Sequence, residues 1–277
     1  MQSPIDQGVV LITGASAGIG RAIAREVAPR ASALVLVARR KERLAELAEG
    51  LRREHPALRV EVEMADVGDV GSLAALSDRT LGALGRVDVL VNNAGLGAHA
   101  LFEASEWSSL EAMVRTNVIG PLFLTRRLLP AMVARGRGGV LNVSSGSAVA
   151  PLPGEATYSA TKHFVHGLGK SLQIELAGTG VRLTEVLPGP VETEFDAVAG
   201  INEENGFGLE AIRISAEQCA REAVRGFDEG RAEVYPGRGN RWLMRARPLL
   251  PSALERGMLR RPVAVLRAAA ERATGGA

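Results

Sequence analysis

Cysteine is nearly absent from this 277-residue chain, and its scarcity excludes several kinds of protein. Because Cys219 is the only cysteine, no disulfide can form within the chain and no metal cluster can rest on cysteine ligands. The four histidines show no spacing typical of metal ligands, so we predict no metal site. We expect Cys219 to be a buried structural thiol within a helix at residues 216–227.

Long apolar runs are missing too. No stretch reaches 18 consecutive apolar residues, so the sequence predicts no transmembrane helix. No basic region followed by an apolar stretch marks the N-terminus, and we therefore expect a cytoplasmic protein. Aromatic residues make up only 4% of the chain, and its positive charge forms no patch with interleaved aromatics. Nucleic-acid binding is not expected.

A glycine-rich turn stands between an apolar run and a helical pattern. Residues 9–12 read Val-Val-Leu-Ile, residues 13–20 read Thr-Gly-Ala-Ser-Ala-Gly-Ile-Gly, and residues 21–28 favour a helix. Such a turn presents free backbone amides and a helix N-terminus to the pyrophosphate of a dinucleotide. The spacing is GxxxGxG rather than the commoner GxGxxG, and an ordinary strand-to-helix turn is the alternative.

A tyrosine and a lysine four residues apart form the second signal. In a helix over residues 157–177, Tyr158 and Lys162 lie on one face, one turn apart. An ammonium near a phenol lowers the phenol's pKa, so we expect Lys162 to tune Tyr158 for proton exchange with a substrate oxygen. Ser145 follows the apolar run at 140–143 and is expected at a strand end, facing the same oxygen. For Tyr158 and Lys162 alone, an exposed helix face is the alternative.

Together these motifs resemble one family, the short-chain dehydrogenases/reductases in their common single-domain branch. The resemblance covers about residues 8–194 and includes Asn-Asn-Ala-Gly at 92–95 and Pro-Gly at 188–189. It implies a catalytic tetrad of Asn117, Ser145, Tyr158 and Lys162, in which Asn117 holds a water that links Lys162 to solvent. The cofactor contacts that we predict are Gly14, Ser16, Ala17, Gly18, Ile19, Gly20, Arg39, Arg40, Asp66, Val67, Asn92, Ala94, Gly95, Tyr158, Lys162, Pro188, Gly189, Val191 and Thr193.

The fold prediction rests on short apolar runs that alternate with helical patterns. The runs occupy 9–12, 34–37, 87–91, 140–143 and 181–187, and the helical patterns occupy 40–54, 70–84, 106–134 and 157–177. We predict an α/β fold with a Rossmann-like, doubly wound parallel sheet in three α/β/α layers. This single domain covers residues 1–237, and a basic helical extension covers 238–277.

The choice of cofactor depends on the end of the second predicted strand. An acidic residue there would bind the ribose hydroxyls of NAD, but Ala38 occupies the position and Arg39, Arg40 and Lys41 follow. An arginine can bind the 2′-phosphate of NADP(H) with two hydrogen bonds. We predict NADP(H), with NAD as the alternative, because Ala17 stands where a second basic residue is usual in the family.

The resemblance implies an oxidoreductase that moves a hydride between nicotinamide and a carbonyl or secondary alcohol, with Tyr158 as acid and base. It also implies a substrate lid at about 194–215, whose apolar residues suggest an apolar substrate: Phe195, Val198, Ile201, Phe207, Leu209 and Ile212. Two further walls are expected at 96–103 and 147–154, with His99 and Glu155 exposed to solvent. The alternatives are isomerisation or dehydration with a bound nicotinamide, and a non-enzymatic cofactor-binding or membrane-associated role.

The C-terminal segment is strongly basic. Residues 231–277 hold ten arginines, no lysine and three glutamates among apolar groups. Packing on the protein core or on another subunit is favoured over peripheral membrane contact, because Pro248, Pro251 and Pro262 interrupt any long amphipathic helix. The family resemblance implies a homodimer or homotetramer built on helices at about 117–135 and 157–177. The apolar surface expected on the first helix comprises Leu122, Phe123, Leu128, Leu129 and Met132.

Overall fold

Parallel strands form the centre of the molecule in a computed structural model that describes residues 2–150, 152–202, 209–247, 263–268 and 271. The strands are β1 Val9–Thr13, β2 Ala33–Ala38, β3 Arg59–Met64, β4 Val89–Asn92, β5 Gly138–Val143, β6 Val181–Val186, β7 Val191–Glu192, β8 Ile214–Ser215 and β9 Glu233–Val234. Seven of them pair in the order β3-β2-β1-β4-β5-β6-β9, and β7 pairs with β8 separately. This order confirms the predicted doubly wound sheet.

Helices cover both faces of the sheet. They are α1 Gly18–Val27, α2 Lys41–Glu54, α3 Val70–Leu84, α4 Trp107–Val114, α5 Gly120–Ala134, α6 Ala156–Glu175, α7 Phe195–Ala199, α8 Ala216–Asp228 and α9 Arg238–Ala246. A further helical segment covers 263–268. None of the helices in the described ranges is long and apolar enough to cross a membrane.

Alternate residues of each central strand enter two separate cores. In β1, Val10 and Ile12 join the core beneath α1, α2 and α8, whereas Val9 and Leu11 join the core beneath α3, α5 and α6. Both faces of the strand are therefore covered, which is why its sequence is continuously apolar rather than alternating. Cys219 of α8 lies in the first core, and burial raises its pKa to about 12, as expected for an inert structural thiol.

The predicted continuous helix over 106–134 is wrong at its centre. A π-helical turn, Arg115–Ile119, separates α4 from α5. Pro121 has no amide hydrogen, so it cannot donate to the carbonyl of Asn117 as an α-helix would require. The turn places Asn117 in the interior, and π-helical turns are frequent at functional sites.

The apolar face predicted on α5 divides between the core and the surface. Leu128 and Met132 are buried against the sheet and are not surface residues, which corrects their expected role in an interface. Phe123 and Leu129 pack partly against the same core, and Leu122 remains exposed. Apolar residues occur on several sides of this helix, so their pattern alone does not show which of them face the sheet.

Candidate active site

A cavity of about 670 Å³ lies beyond the carboxyl ends of the parallel strands. Most of the predicted cofactor and catalytic residues line it, from the glycine turn after β1 to the segment after β6. They are Gly14, Ser16, Ala17, Gly18, Ile19, Arg39, Arg40, Asp66, Val67, Ala94, Gly95, Ser145, Tyr158, Lys162, Pro188, Gly189, Val191 and Thr193. The predicted residues Gly20, Asn92 and Asn117 lie behind this lining.

The glycine turn is held in place by hydrogen bonds from β4. Gly14 has a φ of +69°, and a Cβ there would lie 2.7 Å from the Asn93 amide nitrogen. That side-chain nitrogen, Asn93 Nδ2, donates to the Thr13 backbone carbonyl over 2.9 Å. The Thr13 hydroxyl accepts from the backbone amides of Asn93 and Ala94 at 3.0 and 3.1 Å. Only glycine fits so close to the Asn93 segment, and the sequence analysis missed Asn93 as the clamp.

The start of α1 is suited to a pyrophosphate. Gly18 begins the helix with a φ of +52°, and Ala17 before it provides no side-chain cap for the first amides. The amides of a first helical turn have no partner within the helix, and the helix dipole favours an anion there. The residues present therefore fit the phosphates of a dinucleotide.

The two arginines after β2 differ in their surroundings. Arg40 donates to the Ser16 hydroxyl at 3.2 Å and forms an ion pair of 2.7 Å with Glu194, which also pairs with Arg43. Arg39 is exposed at the cavity rim and forms no ion pair with any residue in the described ranges. Arg39 therefore differs from Arg40, whose guanidinium is held by Ser16 and Glu194.

Asn92 points away from the cavity. Its amide donates to the Thr125 hydroxyl at 3.1 Å and to the Asn142 side chain at 2.9 Å, joining β4 to α5 and β5. The Asn142 amide continues the chain to buried Glu185 over 2.6 Å. Asn92 thus supports the floor of the cavity from within the sheet.

The structure brings Ser145, Tyr158 and Lys162 together at the centre of the cavity. Ser145 follows β5, and its hydroxyl accepts from the Ser147 amide at 3.1 Å and lies near enough to Tyr158 to affect the pKa of the phenol. Both Tyr158 and Lys162 lie on α6 as predicted, and Lys162 Nζ is 5.7 Å from the Tyr158 ring centroid. Asn117 accepts from the Leu96 amide at 2.8 Å and donates to the Thr161 hydroxyl at 3.1 Å. These bonds hold the π-helical turn against α6.

The electrostatics of the pair differ from the expectation. Burial raises the pKa of Tyr158, and the hydrogen bond with Ser145 only partly opposes that shift. Lys162 Nζ donates to the Val143 carbonyl at 3.0 Å rather than to the phenol. Burial lowers the pKa of Lys162 to about 8, partly opposed by the negative charge of Glu185. The prediction that Lys162 lowers the pKa of Tyr158 is therefore wrong for this structure.

The substrate end is formed by segments after β6. Five apolar residues of the predicted lid line the cavity: Phe195, Val198, Ile201, Leu209 and Ile212. Phe207, the sixth, lies outside the described residues. The Phe195 ring lies 5.4 Å from the Tyr158 ring, so the lid reaches the centre of the site. These apolar side chains therefore lie on the side of the cavity that contains Tyr158.

The beginning of the basic extension also lines the cavity, which the sequence analysis did not foresee. Leu243, Met244 and Arg247 contribute to its wall. Asn240 is buried and donates to the Leu187 carbonyl at 2.9 Å, fixing α9 over the end of β6. Residues 248–262, with the three prolines of the extension, lie outside the described residues.

Two residues expected in solvent are buried instead. His99 and Glu155 both lie in the interior, and Glu155 lines the cavity. Both were assigned to the surface because a single histidine or glutamate in a loop is usually solvated. Of the two expected walls, Leu96, Gly97, Ser147, Ala150 and Leu152 line the cavity, whereas Phe102 and Glu103 are exposed.

Sequence comparison identifies the protein family. The family described as short chain dehydrogenase matches residues 8–204. The chain belongs to this family. Its members are NAD(P)-dependent oxidoreductases, and this chain is a short-chain oxidoreductase.

Individual relatives agree with the family assignment. The chain is 40% identical over 192 residues to sulfoacetaldehyde reductase 2 of Chromohalobacter salexigens, covering 69% of this chain and 75% of that protein. A short-chain dehydrogenase of Sphingobium yanoikuyae in complex with NADPH is 34% identical with a TM-score of 0.76, covering 82% of this chain and 87% of that one. A Burkholderia phymatum short-chain dehydrogenase/reductase in complex with NAD is 26% identical with a TM-score of 0.79, covering 88% and 94%.

Proposed function

We propose that this short-chain dehydrogenase is an NADP(H)-dependent reductase of apolar ketones or aldehydes, which also oxidises the corresponding alcohols. The observation that carries the proposal is one cavity that contains both the glycine turn with the start of α1 and the group of Ser145, Tyr158 and Lys162. The first suits a dinucleotide, and the second suits proton exchange with an oxygen beside it.

Ser145 and Tyr158 would hold the substrate oxygen, and Tyr158 would donate its proton as negative charge develops there. When bound, the nicotinamide supplies the hydride to the carbonyl carbon, or accepts it from an alcohol. Because burial raises the pKa of Tyr158, the phenol stays protonated at neutral pH, which suits proton donation in the reductive direction. Oxidation requires the phenolate and is therefore favoured by higher pH.

Lys162 and Asn117 would restore the proton. The two side chains approach the same residue: a Cβ on Gly95 would lie 3.4 Å from Asn117 Oδ1 and 3.6 Å from Lys162 Nζ. The backbone carbonyl of Asn117 also receives no α-helical hydrogen bond, because Pro121 has no amide hydrogen to donate. Such a carbonyl can accept from a water, so we retain the water link between Lys162 and solvent as part of the proposal.

The preference for NADP(H) rests on Ala38 and Arg39. Ala38 offers no carboxylate to repel a 2′-phosphate, and Arg39 stands at the cavity rim without an ion-pair partner among the described residues. A guanidinium is well suited to bind a phosphate with paired hydrogen bonds. Solved relatives bind NADPH or NAD, so family membership does not decide between the two cofactors. The proposed preference for NADP(H) therefore depends on Ala38 and Arg39.

Exposed apolar side chains support an assembly of identical subunits. Leu122 and Val133 on α5 and Phe164 and Ile174 on α6 are all exposed. We include a homodimer or homotetramer in the proposal, in which a second copy of the chain would cover these side chains of α5 and α6. Light scattering of the purified protein tests it, and a mass of one 29.1 kDa chain would contradict it.

The test of the proposed reaction is net oxidation of NADPH with a panel of apolar ketones and aldehydes. We expect NADPH consumption in proportion to alcohol formed, with NADH used less efficiently. Isomerisation or dehydration would convert substrate without net NADPH consumption. A protein that binds the cofactor but converts no member of the panel would contradict the proposed reaction.

A further inference from the structure

The substrate end of the cavity contains a carboxylate that the proposed reaction does not use. Glu155 is 7% exposed and lines the cavity next to the proton-transfer group. Its Oε2 accepts a hydrogen bond of 2.9 Å from the Ser147 hydroxyl. Burying a carboxylate is costly unless its oxygens are paired, so its position calls for a reason.

The fold itself does not supply that reason. Glu155 precedes the first turn of α6, yet its side chain makes no capping hydrogen bond to that helix. Within the described ranges its carboxylate accepts a hydrogen bond only from Ser147 and has no ion-pair partner. A residue that served only to begin the helix would bond to the free amides there.

The other carboxylates at this end of the cavity form ion pairs with arginines. Asp196 and Glu210 pair with Arg213 at 2.8 and 2.6 Å. Glu194, at the base of the lid, pairs with Arg40 at 2.7 Å. Glu155 therefore contrasts with its neighbours, because its carboxyl group faces the cavity without a cation from the described protein. Burial raises its pKa to about 7, and the hydrogen bond from Ser147 only partly opposes that shift.

Glu155 is also close to the reaction centre. The backbone carbonyl of Glu155 accepts from the Ser159 amide at 2.7 Å, so Glu155 adjoins the first turn of α6, which carries Tyr158. Both side chains line the cavity. The negative charge of Glu155 contributes to the raised pKa of Tyr158, in agreement with that proximity.

We infer that Glu155 binds a hydrogen-bond donor on the substrate, so the natural substrate is an apolar ketone or aldehyde carrying a hydroxyl or ammonium group near the reacting carbon. This inference rests on the proposed function. The apolar walls formed by Phe195, Leu152 and Met244 accept the rest of such a molecule. A substrate with a carboxylate or sulfonate at the same position is disfavoured, because two negative charges would meet in a buried site.

The test uses full-length protein, NADPH and ketones that share one skeleton. They are 4-phenyl-2-butanone, its 1-hydroxy, 1-methoxy and 1-amino derivatives, and 2-oxo-4-phenylbutanoate. The methyl ether keeps the oxygen but removes the donor, so it is the matched comparison for the hydroxy ketone. We expect kcat/KM for the hydroxy and amino ketones to exceed that of the ether by about tenfold or more, with the oxo acid poorest.

The variant Glu155→Gln assigns the effect to this side chain. It removes the charge at constant size, and we expect the preference for the amino ketone to fall by about tenfold and the oxo acid to improve. The control is Glu175→Gln, the same change at an exposed position near the other end of α6, which should leave the ranking unchanged. The wild-type ranking needs no variant and decides the matter alone if Glu155→Gln does not fold.

The outcomes separate the two claims. Reduction of the parent ketone without preference for donors, or a ranking that Glu155→Gln leaves intact, would overturn the role of Glu155 and leave the proposed reductase in place. A wild-type preference for the oxo acid would overturn the inference as well. If no ketone of the set is reduced, the parent included, the proposed function fails and the inference fails with it.

Discussion

The two ends of the cavity differ in whether backbone or side chains set their shape. At the cofactor end the shape is set by backbone: Gly14 and Gly18 with positive φ, clamped by Asn93 beside β1 and β4. At the substrate end it is set by side chains from the lid and α9, tied by ion pairs such as Arg213–Asp196. A backbone shape demands particular residues at fixed spacing, whereas many sequences can form an apolar wall. The residues of the cofactor end are therefore the ones that identify the family, whereas those of the substrate end are particular to this chain.

The largest expected effect lies where the two ends meet. Tyr158→Phe removes the proton donor while keeping the ring beside Phe195, so turnover should fall by about 100- to 10,000-fold. NADPH binding should be nearly unchanged, as measured by fluorescence titration next to steady-state reduction of a ketone. Turnover within a few-fold of the wild type would show that Tyr158 is not the proton donor.

A pair of helical glycines tests the cofactor end. A Cβ on Gly20 would lie 2.3 Å from the Asn93 amide nitrogen, whereas one on Gly50 meets nothing within 4 Å. Gly20→Ala should lower the free energy of unfolding by about 1–3 kcal/mol and weaken NADPH binding. Gly50→Ala, in the middle of α2, should raise it by up to about 1 kcal/mol. Equal effects of the two changes in urea unfolding would contradict the clamp.

Arg39 tests the choice of cofactor. Arg39→Ala should raise the Kd for NADPH by about tenfold and leave that for NADH unchanged, because only NADPH carries the 2′-phosphate. Arg53→Ala is the matched control, since Arg53 is an exposed residue of α2 and the change removes the same charge away from the cavity. Parallel weakening of both cofactors by Arg39→Ala would assign Arg39 to stability rather than to phosphate recognition.

The smallest expected effect concerns Glu185, which lies buried beneath the site and accepts from Asn142 at 2.6 Å. Its negative charge favours the protonated form of Lys162, whose pKa burial lowers to about 8. Without that charge the pKa of Lys162 falls further. In Glu185→Gln the alkaline limb of kcat/KM should therefore move to lower pH, by less than about one pH unit. An unchanged pH profile would show that the charge of Glu185 does not influence the titration of Lys162.

The same division explains how much the sequence predicted. The strand runs at 9–12 and 140–143 predicted β1 and β5 because parallel strands buried on both faces must be apolar throughout. The glycine turn and the spacing of Tyr158 and Lys162 were visible because each follows from backbone geometry. The structure brings the glycine turn, Ser145, Tyr158 and Lys162 to one cavity.

Side-chain environment was not predictable in the same way. Glu155 and His99 were expected in solvent, but the loops that carry them fold against the cavity. The pKa of Tyr158 was expected to be lowered, but burial outweighs the nearby ammonium, which bonds to Val143. The approach of α9 to the cavity depends on the Asn240–Leu187 contact between distant parts of the chain. Such effects are set by tertiary packing.

The central claim is that one cavity places a nicotinamide cofactor beside Tyr158 and its 2′-phosphate beside Arg39. A crystal structure of the full chain with NADPH tests it most directly. We expect the phosphates against the glycine turn, the 2′-phosphate bonded to Arg39 and the nicotinamide end near Tyr158 and Lys162. A cofactor bound with its nicotinamide away from Tyr158, or with its 2′-phosphate away from Arg39, would overturn this binding mode.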